Sequence, residues 1–430
     1  MKRYIIIIFL SFSLLKISAQ ERQSITLNIK QAETLFLENN LELLAAKFNV
    51  DIADAAILQA KLWDNPSLSI GDVNLWSTSS QREGENQVIP PLFGSFGKNT
   101  EFSVELSQLI QTANKRGKLI RRERISKDMA SQEFEEVLRG LKIELRRAIQ
   151  ETLYSQSYAV VLSNQQESIN QLVESYRKQV QLGNVAKSEL LRLQSSLLEL
   201  EDEINELQTD LNEHEKTLKI LLNLDPLIKV NIIDNNVSNR NPDTIALVAL
   251  FDIADEIRPD LKLQKLQTSF HQKSLDYERS LRVPDISLSA NYDRHGGVWK
   301  NFIGFGVSVD LPFFNRNQGN IKAAKATLDQ NEFLVRQQQN IVRQEVSSSY
   351  NNYVSSYRFY EKIKENSLLS ELDSMLNIYV KNLLSKNISM LEYIDFMDTY
   401  KANKETILNA RKKVNMQFEE LQYTVGTDIK

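Results

Sequence analysis

Residues 190–221 read LLRLQSSLLELEDEINELQTDLNEHEKTLKIL. The apolar side chains of this stretch recur in alternating steps of three and four, which is the seam of a helix that packs along another helix. The seam consists of Leu190, Leu193, Leu197, Leu200, Ile204, Leu207, Leu211, Leu218 and Leu221, with His214 in the same series. Because neither Pro nor Gly interrupts it, the stretch predicts one long helix.

A second helical stretch lies just upstream, over residues 111–182, and carries a similar pattern. Its repeating apolar positions include Phe134, Leu138, Leu141, Leu145 and Ala148. Gly183 and Asn184 separate the two stretches, and both residue types readily end a helix in a left-handed turn. The sequence therefore predicts an antiparallel helical hairpin with its tip at about 183–185.

The second half of the chain repeats the first. A shift of 203 residues places Leu182-Gly183-Asn184-Val185 on Ser385-Lys386-Asn387-Ile388. Upstream, Asn65–Ser69 matches Val283–Ser287 with a shift of 218, so the first repeat carries 15 extra residues. That insertion falls at 77–97, where Ser, Gly and Pro indicate a loop. An internal duplication explains why the elements on both sides stay in register.

The duplication divides the chain into domains. We expect a first repeat at 20–223, a linking segment at 224–245 and a second repeat at 246–430. The second repeat should have its own hairpin tip at about 386–388.

Each repeat also holds two runs in which apolar and polar residues alternate, as in a strand with one apolar face. These runs lie at about 67–76 and 100–109, and again at about 285–294 and 302–312. Each has about the length of a transmembrane strand, although a hairpin on a soluble domain explains the runs equally well. Four strands cannot close a barrel, and lipid does not tolerate open edges, so in a membrane several chains would have to share one barrel.

The composition limits the chemistry available to the chain of 430 residues. Its 52 basic and 56 acidic side chains leave a formal charge of −4, which argues against a nucleic-acid partner. The absence of Cys excludes thiol catalysis, disulfides and thiolate metal sites. His214 has no second His at helical spacing, so it indicates a packing position rather than a metal ligand. No motif indicates catalysis, a cofactor or a metal site, and we expect no enzyme.

The first 19 residues have the layout of a secretory signal peptide. Lys2 and Arg3 precede an apolar run from Tyr4 to Leu15, and Ala19 provides a small residue at the expected cleavage point. The run is shorter than the roughly 20 residues that a membrane-spanning helix needs. We therefore expect an exported chain that begins at Gln20.

The order of these elements resembles the TolC-like outer-membrane factors of bacterial tripartite efflux and type I secretion systems. The resemblance covers nearly all of residues 20–430. Its matching stretches are Asn65–Leu68, Leu106–Leu109, Tyr176–Gln194, Arg258–Leu261, Pro284–Ser287, Leu311–Phe314 and Leu421–Gly426. Each is weak alone, and their order and spacing together are specific. The chain departs from the family at Leu109, where Pro is usual, and at Lys386, where Gly is usual.

The resemblance implies a mainly α-helical fold with a small β part. It implies a homotrimer in which each chain gives four strands to one 12-stranded barrel in outer-membrane lipid and four long helices to a periplasmic tunnel. The implied function is a passive exit duct for small molecules, metal ions or polypeptides. Its partners would be a periplasmic adaptor and, through the adaptor, an inner-membrane pump.

The resemblance also identifies candidate site residues near the two hairpin tips. The candidate adaptor-docking residues are Gly183, Asn184, Val185, Asn387, Ile388 and Ser389. Glu392 and Asp395 lie three residues apart on one helix face, so threefold symmetry would gather six carboxylates at the periplasmic constriction. Glu189 is the third candidate residue of the constriction. It matches an acidic position in the first hairpin that some relatives pair with a basic residue to lock the gate, but Ile388 occupies the basic position here.

A periplasmic coiled-coil adaptor or scaffold is the alternative function, since long helical hairpins suit it equally. The alternating strand pairs and the full duplication favour the channel.

Overall fold

The computed structural model describes residues 24–74, 101–233, 241–294, 301–365 and 368–429. The expected signal peptide at 1–19 and the expected loop at 77–97 lie outside these ranges. The expected linking segment at 224–245 is described in part, up to residue 233 and from residue 241.

The described chain is mainly helical, as the sequence predicts. Its helices are α1 (Ile29–Asn39), α2 (Leu41–Lys61), α3 (Lys115–Gln181), α4 (Lys187–Leu222), α5 (Leu247–Ile257), α6 (Pro259–Ser280), α7 (Gln318–Lys364), α8 (Leu368–Leu384) and α9 (Met390–Val425). Its strands are β1 (Ser24–Leu27), β2 (Ser67–Asn74), β3 (Glu101–Ile110), β4 (Lys229–Ile232), β5 (Ile286–Arg294) and β6 (Phe302–Val309). Helix α3 reaches 67 residues because no Pro interrupts it.

Four strands form one antiparallel sheet in the order β2-β3-β5-β6. A row of residues crosses the sheet from Leu68 through Leu106 and Ala290 to Phe305, one on each strand. Leu68 is 66% exposed and Phe305 is 87% exposed, so this apolar face is open in the single chain. Strands β2 and β6 lie at the two edges of the sheet.

Two details of the sheet differ from simple alternation. Strand β2 has an irregular register between Gly71 and Asn74, and Asp72 there has a left-handed φ of 49°. Strand β6 ends at Val309 instead of extending to residue 312. Pro312 has no N–H to donate to a neighbouring strand, and the N–H of Phe313 donates to the Leu311 carbonyl in a tight turn.

The chain divides into two compact units by its internal contacts. The first unit comprises the residues up to Leu41, Leu141–Pro242 and Tyr353–Glu419. Its core is a continuous apolar cluster drawn from α3, α4, α8 and α9, with Leu162, Leu193 and Tyr393 fully buried. Strands β1 and β4 pair in parallel within this unit and connect the N-terminal segment to the segment after α4.

The second unit comprises Glu42–Gly140, Asp243–Asn352 and Glu420–Lys430, and it contains the four-stranded sheet. Arg258 is only 3% exposed there, at the junction between α5 and α6. Its guanidinium donates to Asp260, to Glu345 at 2.6 Å and to the Thr424 carbonyl at 3.0 Å. A single buried cation therefore holds α6, α7 and the C-terminal segment together.

Among the residues that the structure describes, none of the helices combines the length and the apolarity of a membrane span.

Candidate functional site at the hairpin tips

Both hairpin tips are built as the same helix-ending turn. Gly183 has a φ of 74° and Lys386 has a φ of 59°, so both are left-handed. In the first tip the N–H of Asn184 donates to the Gln179 carbonyl at 2.9 Å, and in the second the N–H of Asn387 donates to Asn382 at 2.9 Å. This six-to-one bond is the Schellman motif, which satisfies a carbonyl left open at a helix C-terminus.

Lys386 adopts this turn without the freedom of a glycine. A left-handed conformation costs an L-residue with a Cβ roughly 1–2 kcal/mol. The Lys386 Nζ donates to the Asn184 carbonyl at 3.2 Å, so its side chain reaches from the second tip to the first. Lys386 thus takes the backbone geometry expected of Gly and adds a contact between the two turns.

A groove of about 370 Å³ lies between the two tips. We call it the tip groove. Four of the six predicted docking residues line it, namely Asn184, Val185, Ile388 and Ser389, as do Glu189 and Lys386. Gly183 and Asn387 are exposed at the turns themselves and do not line the groove. The structure therefore brings most of the predicted docking residues to one surface within the first unit.

Glu392 caps the start of α9. The N–H of Ser389 donates to the Glu392 carboxylate at 2.7 Å, and the N–H of Glu392 donates to the Ser389 hydroxyl at 3.2 Å. These reciprocal bonds form a capping box. The hydrogen bonds from Ser389 lower the pKa of Glu392, so its carboxylate stays charged in the single chain. Sequence analysis missed this cap, although Ser-x-x-Glu at 389–392 is its recognised signature.

Asp395 is exposed one turn further along α9, and no ion pair engages it in the described ranges. The residues beside these two acids, Tyr393 and Phe396, are buried in the apolar cluster. Glu392 and Asp395 therefore share the solvent-facing side of α9 and do not line the tip groove.

Glu189 is exposed in the first turn of α4. Burial chiefly raises the pKa of Tyr176, and the nearby charge of Glu189 adds to that rise. No cation forms an ion pair with Glu189 in the part of the chain described, and Ile388 lies on the same groove.

A polar link joins three helices, and the sequence did not predict it. The Tyr158 hydroxyl on α3 donates to one oxygen of Glu203 on α4, at 2.5 Å. The Lys401 Nζ on α9 donates to the other oxygen of Glu203 at 2.8 Å. The link ties the second hairpin to the first within the unit that holds both tips. Its members are 45 and 198 residues apart, so no local spacing could reveal it.

The model for a protein family described as outer membrane efflux protein matches residues 34–224 and 250–368. These ranges include the first repeat from residue 34 onward, together with the strands and the long helix α7 of the second repeat. A comparison with curated protein sequences finds no match.

Several solved structures of outer-membrane proteins share the fold. CusC, whose structures are described as showing transmembrane channel formation, has a TM-score of 0.71 and 17% identity over 93% of this chain and 92% of that chain. The CmeC outer membrane channel of Campylobacter jejuni has a TM-score of 0.75 and 16% identity over 93% and 85%. The outer membrane protein VceC of Vibrio cholerae has a TM-score of 0.69 and 14% identity over 94% and 97%.

Proposed function

Since the chain belongs to the outer membrane efflux protein family, we propose that it is the outer-membrane exit duct of a tripartite efflux or type I secretion system. The duct is passive: it provides a continuous path across the periplasm and the outer membrane, and an inner-membrane pump supplies the energy. The family is one of channels and not of enzymes.

The four-stranded sheet is the observation that carries this proposal. Its apolar face is exposed. Its edge strands β2 and β6 each pair with one neighbour only, and their outer edges have no partner strand in the described part of the chain. Lipid tolerates such a sheet only when the edges are closed. Three copies joined edge to edge make a barrel of 12 strands. In this barrel every strand edge is paired, and the apolar row faces lipid.

The helical hairpins supply the periplasmic part. In the trimer, α3 and α4 with α7, α8 and α9 line a tunnel, and the tips receive the adaptor. The tip groove offers the adaptor polar groups and an apolar floor, since Asn184 and Ser389 line it together with Val185 and Ile388. Gly183 and Asn387 contribute the exposed turns beside it.

Glu392 and Asp395 form the constriction in this proposal. Threefold symmetry brings six carboxylates from α9 into a ring, which favours cations and repels anions. Within one chain Ser389 lowers the pKa of Glu392, whereas neighbouring carboxylates in a ring raise it. Glu189 adds negative charge at the tip but has no basic partner, so closure rests on helix packing and on the link through Glu203.

Membrane fractionation followed by mass measurement in detergent tests the proposal. We expect the mature protein in the outer membrane, as a trimer that survives detergent extraction. A monomer in the soluble periplasmic fraction would contradict the duct and favour the adaptor or scaffold alternative.

A further inference from the structure

Three arginines surround an exposed apolar patch at one end of the four-stranded sheet. Strand β5 begins at Ile286 and strand β6 ends at Val309, and these two residues are paired, so the segments beyond them leave the sheet at the same end. A pocket there is lined by Arg279, Arg282 and Arg316 and by the apolar side chains of Val283, Leu311 and Phe313. We call it the arginine pocket.

The three guanidinium groups of the arginine pocket have no carboxylate partner among the residues that the structure describes. None of the three guanidinium groups forms an ion pair with any described residue, and the only side-chain bond is from Arg316 Nε to the Pro312 carbonyl at 3.2 Å. Two carboxylates close in sequence are engaged elsewhere. Glu278 accepts from Asn317 Nδ2 at 2.6 Å, and Asp285 pairs with Lys115 at 2.7 Å. The pocket therefore offers three free cations to an anion.

The pocket is continuous with the apolar face of the sheet. Leu311 lies two residues beyond Val309, the last residue of β6, and is exposed like the strand residues Ile303, Phe305, Val307 and Val309. Phe313 is 68% exposed and Phe314 is 96% exposed beside it. A ligand that fits this surface carries an anionic group at one end and long apolar chains at the other.

We propose that the arginine pocket binds the phosphate of an anionic phospholipid, whose acyl chains lie along the exposed row of β6. The inference rests on the proposed function, which places the sheet in the outer membrane and the helices in the periplasm. Helix α6 ends and helix α7 begins beside the pocket, so the pocket faces the periplasmic leaflet. Arginines form bidentate bonds with phosphate, and basic pockets next to membrane-spanning segments hold lipid headgroups in other proteins.

Native mass spectrometry of the detergent-solubilised trimer tests the pocket, with phosphatidylglycerol and zwitterionic phosphatidylcholine added in parallel. We expect tighter binding of phosphatidylglycerol. The triple variant Arg279→Gln, Arg282→Gln, Arg316→Gln should weaken that binding by about five-fold per arginine, and roughly a hundredfold in all. Variants with Lys at the three positions should lose part of the affinity, because Lys keeps the charge but not the bidentate geometry.

The matched control removes the same charge elsewhere, as Lys30→Gln, Lys47→Gln, Lys413→Gln. These lysines are exposed and form no ion pair with the described residues, so the control should bind phosphatidylglycerol like the wild type. A trimer that binds both lipids equally, or a triple variant as tight as the control, overturns the pocket while the exit duct stands. Full displacement by inorganic phosphate would also overturn it, because a free anion would then be the ligand.

Discussion

Asn114 and Asn317 lie 203 residues apart and share a left-handed backbone, with φ of 53° and 57°. Each directly precedes a long helix, α3 in the first repeat and α7 in the second. The same offset relates two further left-handed pairs, Gly183 with Lys386 and Asn223 with Gly426. Residues other than glycine rarely adopt a left-handed backbone. Three such pairs at one offset therefore indicate that the backbone conformation is duplicated along with the sequence.

The first prediction concerns the tip turn. Gly183→Val should cost about 1–2 kcal/mol locally, because Val is strained at a φ of 74° even though a Cβ meets no atom within 4 Å. We expect lost export with the trimer intact, measured as cell susceptibility to exported toxic compounds and as the mass of the purified assembly. Gly140→Val is the matched control, since a Cβ there also meets nothing within 4 Å and the backbone is helical. Normal export with Gly183→Val would argue against docking at this turn.

The second prediction concerns the carboxylate ring. Glu392→Gln with Asp395→Asn should abolish cation preference and block by multivalent cations, because the proposed ring would lose all six of its charges. Single-channel recording in planar bilayers measures both properties. Glu199→Gln with Asp202→Asn is the control, as these two acids are also exposed and three residues apart on a helix. Unchanged selectivity in the first double mutant would leave Glu392 as a helix cap only.

The third prediction concerns the link between the hairpins. Lys401→Met removes the bond from α9 to Glu203 and leaves the bond from Tyr158 in place. A partly exposed pair of this kind contributes about 1 kcal/mol, so the open probability in bilayers should rise roughly five-fold. Lys413→Met, on the same helix and exposed, should have no effect. Equal open probability in both variants would mean that the link does not restrain opening.

The fourth prediction concerns the buried cation of the second unit. Arg258→Met should lower the free energy of unfolding by about 3–5 kcal/mol, because Asp260 and the Thr424 carbonyl lose a buried donor. Arg343→Met removes an ion pair with Asp255 whose arginine is 56% exposed, and should lower the free energy of unfolding far less, because water screens an exposed pair. Thermal unfolding of the solubilised protein compares the two. Similar losses for both variants would contradict the role of burial.

The same network predicts a dependence on pH. Burial acts to raise the pKa of Asp260, but the hydrogen bond and charge of Arg258 outweigh it and hold the pKa below its ordinary 3.8. A lowered carboxylate pKa stabilises the fold above the unfolded value, and that stability is lost as the pH falls through the folded value. Asp260→Asn should therefore flatten the loss of stability below about pH 4. An unchanged acid profile would assign that loss to other carboxylates.

Local patterns in the sequence predict individual helices and strands. The seam at 190–221 and the alternation around Phe305 depend on periods of a few residues, and the structure contains a helix and a strand there. The Ser389–Glu392 cap also has a local signature, since Ser-x-x-Glu at a helix start predicts a capping box. Strand β6 ends before residue 312 because Pro312 has no backbone N–H to donate to a neighbouring strand, and this proline is also evident in the sequence.

The helices, the strands and their duplication follow from the amino-acid sequence, because helix seams, strand alternation and turn residues act over short distances along the chain. Which charged groups meet depends on how the helices pack. Glu203 accepts from Tyr158 and Lys401, and Arg258 donates to Glu345 and Thr424. Three arginines gather beside Leu311, with no ion-pair partner in the described part of the chain. Such partners come from segments that are far apart in the sequence. The charge of a side chain determines which groups it can bind, but it does not determine which helix packs against it.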